Sequence, residues 1–137
     1  MAKQIAVLDA CVLYPAPLRD LFMWLALGDL FSACWTEEIH REWIRNVLAN
    51  RPDLRPAQLA RTRDLMNSRI RGCLVTGYES LIETITLPDP DDRHVLATAI
   101  HAGADLIVTF NLKDFPAAVL QPLSIAASIP IISSSRC

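Results

Sequence analysis

Hydrophobic and polar positions form alternating blocks along the chain, and these blocks predict strands and helices in turn. Short apolar runs, typical of strands covered on both faces, lie at 5–8, 30–35, 74–76, 106–108 and 123–127. Helical spacing predicts helices at 17–27, after Thr36, and at 56–71, 80–85, 91–102 and 117–120. The alternation predicts one domain over 1–137 with an α/β fold, a three-layer α/β/α sandwich with a mainly parallel central sheet.

The longest coherent pattern is the stretch LPDPDDRHVLATAIHAGADLIVTFNLKDFP, residues 87–116. Its prolines predict an irregular turn, because proline fixes φ and restricts the residue before it. A helix follows, Gly103 ends it, and Leu106 to Val108 forms a buried strand. Acidic residues stand at both turns that flank this helix and strand.

Asp92 is the acid in this stretch that most needs an explanation. At helical spacing it shares a face with Val95 and Ala99, which must pack on the sheet. Taken alone, it is explained as an acid satisfied by first-turn amides. Asp91 could serve the helix dipole equally well, so Asp92 requires a further reason.

Composition excludes several classes of protein. No apolar run is long enough to cross a bilayer, and the start, MAKQIAVLDA, has no secretory pattern. The four cysteines are widely spaced, which favours reduced thiols that act mostly as small apolar residues. We therefore expect a cytoplasmic protein with no membrane segment.

Charge is distributed unevenly along the chain. The whole carries −2, yet residues 41–71 hold eight arginines against three acids, a net +5. Such a basic segment beside an acidic remainder suits a polyanion held over a metal site. A solvated helical face explains the same arginines equally well.

Four acids fall at equivalent places in the predicted fold. Asp9 follows the first strand, Glu42 lies on the next long helix, Asp92 opens the central helix, and Asp114 follows the 106–108 strand. If these ends converge, the carboxylates repel one another unless some are protonated or a cation binds. All-oxygen ligands favour Mg²⁺ or Mn²⁺, and such ions typically support phosphate chemistry.

Other chemistries lack their motifs. The sequence has no phosphate-binding glycine loop, dinucleotide fingerprint or serine elbow, and Cys11 stands where an aspartyl phosphatase has its second acid. The histidines at 40, 94 and 101 have no partner that suggests a triad, and we interpret each as a surface or capping residue.

The segments VLDACVLY, TEEIHREW and DPDDRHVLATAIHAGADLIVTFNLKDFP resemble the successive motifs of a PIN domain, over about 5–116. The resemblance implies an α/β/α sandwich and a Mg²⁺- or Mn²⁺-dependent ribonuclease, with VapC-type toxins of toxin–antitoxin pairs among its members. It also implies that Asp9, Glu42, Asp92 and Asp114 are the catalytic and metal-binding acids, with Thr109 and Asn111 as supports. The tail, SIPIISSSRC, lacks the acidic and aromatic segment that many relatives carry.

We therefore predict an endoribonuclease that hydrolyses RNA by water activated on one or two ions. Arginines of the 41–71 segment would hold backbone phosphates, with candidates Arg41, Arg45, Arg51 and Arg55. A catalytically silent PIN-fold module that binds nucleic acid or protein is the alternative, and a small-molecule phosphatase is a third. The apolar helix at 18–27 suggests homodimerisation, and a toxin would have an antitoxin as its partner.

Overall fold

The computed structural model describes residues 3–130. Residues 1–2 and the tail 131–137, which includes Cys137, lie outside the described residues. Its four strands are β1 (Ile5–Leu8), β2 (Ser32–Cys34), β3 (Leu106–Val108) and β4 (Ala126–Ser128). The helices are α1 (Ala10–Leu13), α2 (Ala16–Leu27), α3 (Glu37–Asn50), α4 (Pro56–Arg69), α5 (Glu79–Ile82), α6 (Arg93–Ala102) and α7 (Ala117–Leu120). Single 3₁₀ turns span Pro90–Asp92, Leu112–Asp114 and Gln121–Leu123.

The sheet has the order β2-β1-β3-β4, and every pair of neighbouring strands is parallel. The chain passes from β1 to β2 in one direction and from β2 to β3 in the other. Because crossovers between parallel strands are right-handed, the connecting helices lie on opposite faces. The α/β sandwich predicted from the sequence is confirmed, and its switch point lies between β1 and β3, where open sheets place their ligands.

The central helix ends where the sequence predicted, but α6 begins at Arg93, after the 3₁₀ turn Pro90–Asp92, and not at 91. Gly103 caps α6 with a left-handed backbone (φ 68°), the conformation in which a side chain would be strained. Val95, Leu96 and Ala99 are fully buried and pack α6 onto β1 and β3. This packing fixes the first turn of α6 beside the carboxyl ends of those two strands.

The third predicted strand, 74–76, is wrong as a strand. Only Leu74 pairs, in a single parallel bridge with Trp35. Gly72 and Gly77 both have positive φ and turn the chain before and after this segment. The pairing therefore does not extend into a ladder of several residues.

His40 is not the surface or capping residue that the sequence suggested. It is fully buried, its Nδ1 accepts from the indole Nε1 of Trp43 at 3.0 Å, and its Nε2 lies 2.9 Å from Oδ1 of Asn67. The same Asn67 oxygen accepts from Nε1 of Trp35 at 2.8 Å. Since an indole only donates, Nδ1 of His40 is the acceptor, and the neutral ring joins α3 to α4.

Candidate metal centre

Asp9 occupies the switch point of the sheet. It caps α1, where its Oδ1 accepts the Ala10 amide at 2.8 Å, and its Oδ2 accepts the Thr109 hydroxyl at 2.9 Å. Burial raises the pKa of Asp9, the two hydrogen bonds oppose that rise, and the charge of Glu42 adds to it. The structure thus joins the ends of β1 and β3 through one carboxylate.

Thr109 and Asn111, the predicted supports, differ in their contributions. Thr109 is fully buried, and its hydroxyl holds Asp9 while accepting the Asn111 amide at 3.1 Å. Asn111 is exposed, and among the described residues its side chain makes no hydrogen bond. The backbone of Asn111 therefore supports the site.

Cys11 has more contacts than a small apolar filler, so that interpretation is wrong for this position. Its Sγ lies 3.5 Å from the Thr109 hydroxyl and 3.8 Å from Oδ2 of Asp9, and it accepts the Phe110 amide at 3.4 Å. Burial, followed by the charge of Asp9, raises the pKa of this thiol. Cys11, which lies in α1, thus ties the loop after β3 to the helix that follows β1.

Three carboxylates gather beside this point. Asp89, Asp92 and Asp114 each offer an oxygen, and these oxygens lie within 4.8 Å of one another. Asp92 and Asp114 are partly buried, while Asp89 is exposed. Asp89 is not among the predicted site residues. Its position before Pro90, at the start of the first turn, is the sequence signal for it, since Asp is a favoured cap there.

Asp92 is not satisfied by helix amides, which removes the simpler explanation for it. Its side chain makes no capping hydrogen bond, and the acid that accepts an amide in this turn is Asp89, from Asp91 at 2.9 Å. Burial raises the pKa of Asp92 to about 7, with the charges of Asp9, Asp114 and Asp89 adding to the rise. Among residues 3–130 no lysine or arginine forms an ion pair with it.

Glu42 lies outside the group of three acids. Its Oε1 is 2.7 Å from Nε2 of His94 in the first turn of α6, and both side chains are largely buried. Burial opposes a charge on His94, but the contact with Glu42 and the charges of Glu42, Glu38 and Asp9 outweigh it and raise its pKa. His94, interpreted from sequence as a surface or capping residue, is a neighbour of the acidic site.

The four candidate arginines divide into two pairs. Arg41 and Arg45 line a groove of about 580 Å³ that also contains Glu42 and His94. Arg51 forms an ion pair with Asp53 at 2.9 Å, beyond the C-terminal end of α3, and Arg55 precedes α4. At 1.5 Å per residue, Arg51 is about 13 Å along the helix axis from Glu42. The structure brings only the first pair to the groove.

The donor set fits a hard divalent cation. All three clustered ligands are carboxylates, and burial together with repulsion by the neighbouring acids raises the pKa of Asp92, which disfavours full ionisation of the metal-free cluster. A cation among the oxygens would relieve this repulsion, and oxygen ligands are those that Mg²⁺ and Mn²⁺ prefer.

Comparison with known proteins places the chain in a family. A family model described as PIN domain matches residues 6–113, most of the stretch over which the motifs resemble that family. The chain belongs to the PIN domain family. The α/β sandwich and the acidic edge of its sheet are therefore the scaffold and candidate site of a PIN domain.

Two known proteins show what this PIN domain is similar to. It is 46% identical over 54 residues to "Putative ribonuclease VapC50" of Mycobacterium tuberculosis, a match that covers 39% of this chain and 31% of that protein. The chain thus matches about a third of that relative's length. It is also similar to a chain in the "Crystal structure of VapBC2 from Rickettsia felis bound to a DNA fragment from their promoter", with a TM-score of 0.56 and 18% sequence identity. That alignment covers 91% of this chain and 98% of the other.

The second likeness concerns the fold alone, since the identity is low. It agrees with the parallel four-stranded sheet and its covering helices. Across residues 3–130, no helix combines the length and hydropathy that a bilayer crossing requires.

Proposed function

We propose that this PIN domain is a Mg²⁺- or Mn²⁺-dependent endoribonuclease that hydrolyses RNA phosphodiester bonds in the cytoplasm. The observation that carries the proposal is the convergence of Asp89, Asp92 and Asp114 beside Asp9, with the pKa of Asp92 raised to about 7. Family membership and a relative named as a ribonuclease support the same chemistry.

Asp92 and Asp114 would hold the ion or ions, joined by Asp89 and by Asp9. Bound there, a divalent ion would activate water, neutralise the phosphate and stabilise the leaving oxygen. Thr109 contributes by fixing Oδ2 of Asp9, which leaves that carboxylate a single orientation. These carboxylates reach the site from different parts of the chain, so their placement depends on the intact fold.

Glu42 would act beside the ion-holding acids by orienting the attacking water. It lies close enough to the site for its charge to raise the pKa of Asp9, and it lines the groove with Arg41 and Arg45. Those two arginines are exposed and would contact backbone phosphates, a salt-sensitive and largely sequence-independent contribution. Arg51 and Arg55 would contact RNA only outside this groove.

The test compares Asp92→Asn with Asp91→Asn, an exposed neighbour in the same turn. Wild-type protein and Asp91→Asn should cleave single-stranded RNA with Mn²⁺, while Asp92→Asn and Asp9→Asn should lose cleavage and remain folded. Cleavage by Asp92→Asn at the wild-type rate would contradict the assignment. Binding of Mn²⁺ and RNA by the wild-type protein without cleavage would favour the silent binding module.

We also propose a homodimer that uses the end of α2. Trp24 and Leu27 in α2 and Leu30 just beyond it are 71%, 50% and 66% exposed, and such exposed large apolar side chains are typical of interaction surfaces. Trp24→Glu should shift the protein to a monomer in light scattering, and a monomeric wild type would contradict the proposal.

An antitoxin partner is proposed from the likeness to VapBC2. Addition of the antitoxin should inhibit RNA cleavage.

A further inference from the structure

The contact between His94 and Glu42 joins two elements that border the acidic site. Glu42 lies on α3 and His94 on α6, and Nε2 of the imidazole is 2.7 Å from Oε1 of the carboxylate. Their side chains are 25% and 11% exposed, so the pair is largely shielded from water. Exposed ion pairs contribute little, but removing one partner of a shielded pair is costly, because it leaves the other charge buried without compensation.

Glu42 takes this partner in preference to the arginines on its own helix. Arg41 pairs with Glu38 instead, and Arg45 makes no ion pair among the described residues. Oε1 of Glu42 is buried without a geometrically aligned hydrogen bond in the described part of the chain, and Nε2 of His94, at 2.7 Å, is its ion-pair partner there. This arrangement leaves Oε2 as the oxygen available to a water molecule or a substrate.

The pair lies where an oriented carboxylate matters. Both residues line the groove that contains Arg41 and Arg45, and the charges of both act on Asp9. A glutamate side chain has three rotatable bonds, and an unheld one would lose conformational entropy whenever it met a water or a substrate. Holding Oε1 in advance removes most of that cost.

We propose that His94 is a positioning residue that fixes Glu42, so that Oε2 of Glu42 orients the attacking water. The inference rests on the proposed ribonuclease function and deepens it. His94 does not ligate an ion in this scheme and does not touch the RNA. Its effect passes through Glu42 alone, which gives the proposal a sharp test.

The test is a double-mutant cycle with His94→Leu, Glu42→Gln and the two combined. His94→Leu removes the donor at similar volume and should lower kcat by up to about 100-fold, with KM for RNA nearly unchanged. The combined variant should be no slower than Glu42→Gln. His94→Gln, which keeps an N–H donor, should recover most of the loss, and His101→Leu on the exposed face of the same helix is the control.

A second measurement does not depend on activity. In the metal-free protein, Glu42→Gln should shift the nuclear magnetic resonance signals of the His94 ring nitrogens and leave those of His101 unchanged. Unmoved His94 signals would overturn the inference, as would losses of kcat that multiply in the combined variant. If wild-type protein cleaves no RNA, the proposed function fails, while the ring signals still report whether His94 fixes Glu42.

Discussion

Replacing Asp92 by asparagine should stabilise the metal-free protein, although it removes a residue of the candidate site. The partly buried Asp92 carboxyl faces the charges of Asp9, Asp114 and Asp89, and its pKa is raised to about 7 from 3.8. Asparagine keeps the shape of the side chain and removes the charge. The variant should therefore remove both the cost of burying this charge and its repulsion by the neighbouring acids, which the wild-type protein bears whenever Asp92 is ionised.

The sign and size of the effect follow from this pKa. Because the folded protein binds the proton more tightly than the unfolded chain, ionisation of Asp92 costs stability as the pH rises from about 4 to about 7. At 1.36 kcal/mol per pH unit the full cost is about 4 kcal/mol. Water reaches the partly exposed carboxyl and screens its interactions, so we expect about 1–2 kcal/mol.

Urea unfolding in the presence of a chelator measures this cost. At pH 8, Asp92→Asn should raise the free energy of unfolding by about 1–2 kcal/mol, and at pH 4 it should leave that free energy unchanged. Asp91→Asn, in the same turn but exposed, should change neither value. A loss of stability in Asp92→Asn at pH 8, or an equal gain at both pH values, would refute the reasoning.

Manganese should reverse the order of stability. An ion at 100 times its dissociation constant stabilises a protein by about 2.7 kcal/mol. Wild-type protein should gain this amount at pH 8, while Asp92→Asn, which lacks one of the clustered carboxylates, should gain much less. Equal gains in the two proteins would show that the ion binds elsewhere.

Three further predictions concern buried polar contacts. Thr109→Val leaves Oδ2 of Asp9 without its donor and should cost about 1–3 kcal/mol in urea unfolding, whereas Thr109→Ser should cost much less. Burial lowers the pKa of His40, so protonation of this ring favours the unfolded chain, and the His40 contribution to stability should fall as the pH drops below 6.5, opposite in sign to that of Asp92. His40→Gln should lose that slope, and an unchanged slope would contradict the assignment. The guanidinium of Arg19 lies 4.4 Å from the Trp43 ring and donates to a buried carbonyl at 2.7 Å, so Arg19→Met should lower stability by about 2–3 kcal/mol, a loss that thermal melting would detect.

Most of the fold could be predicted from local patterns. The apolar runs of β1 and β3, the Thr36 cap and the Gly103 stop each rest on neighbours within a few residues, and the structure has all four. Strand 74–76 could not be excluded in this way, because pairing depends on a partner strand and on the turns around it.

The candidate site was only partly predictable, for the same reason. Asp9, Asp92 and Asp114 follow strands or open a helix, so topology alone indicated that they converge. Glu42 also fell near the site, but its contact with His94 joins residues on two different helices and has no sequence signature. Asp89 was overlooked because a turn acid before proline is explained equally well as a cap.

The sequence by itself determined the alternation of strands and helices, the carboxylates at their ends and the membership of the PIN family. Each of these depends on the spacing of residues that are close together in the chain. Only the tertiary structure decided which charges meet. It placed Asp89 with Asp92 and Asp114, joined Thr109 to Asp9 and set His94 against Glu42, since contacts between distant segments depend on how helices pack across the sheet.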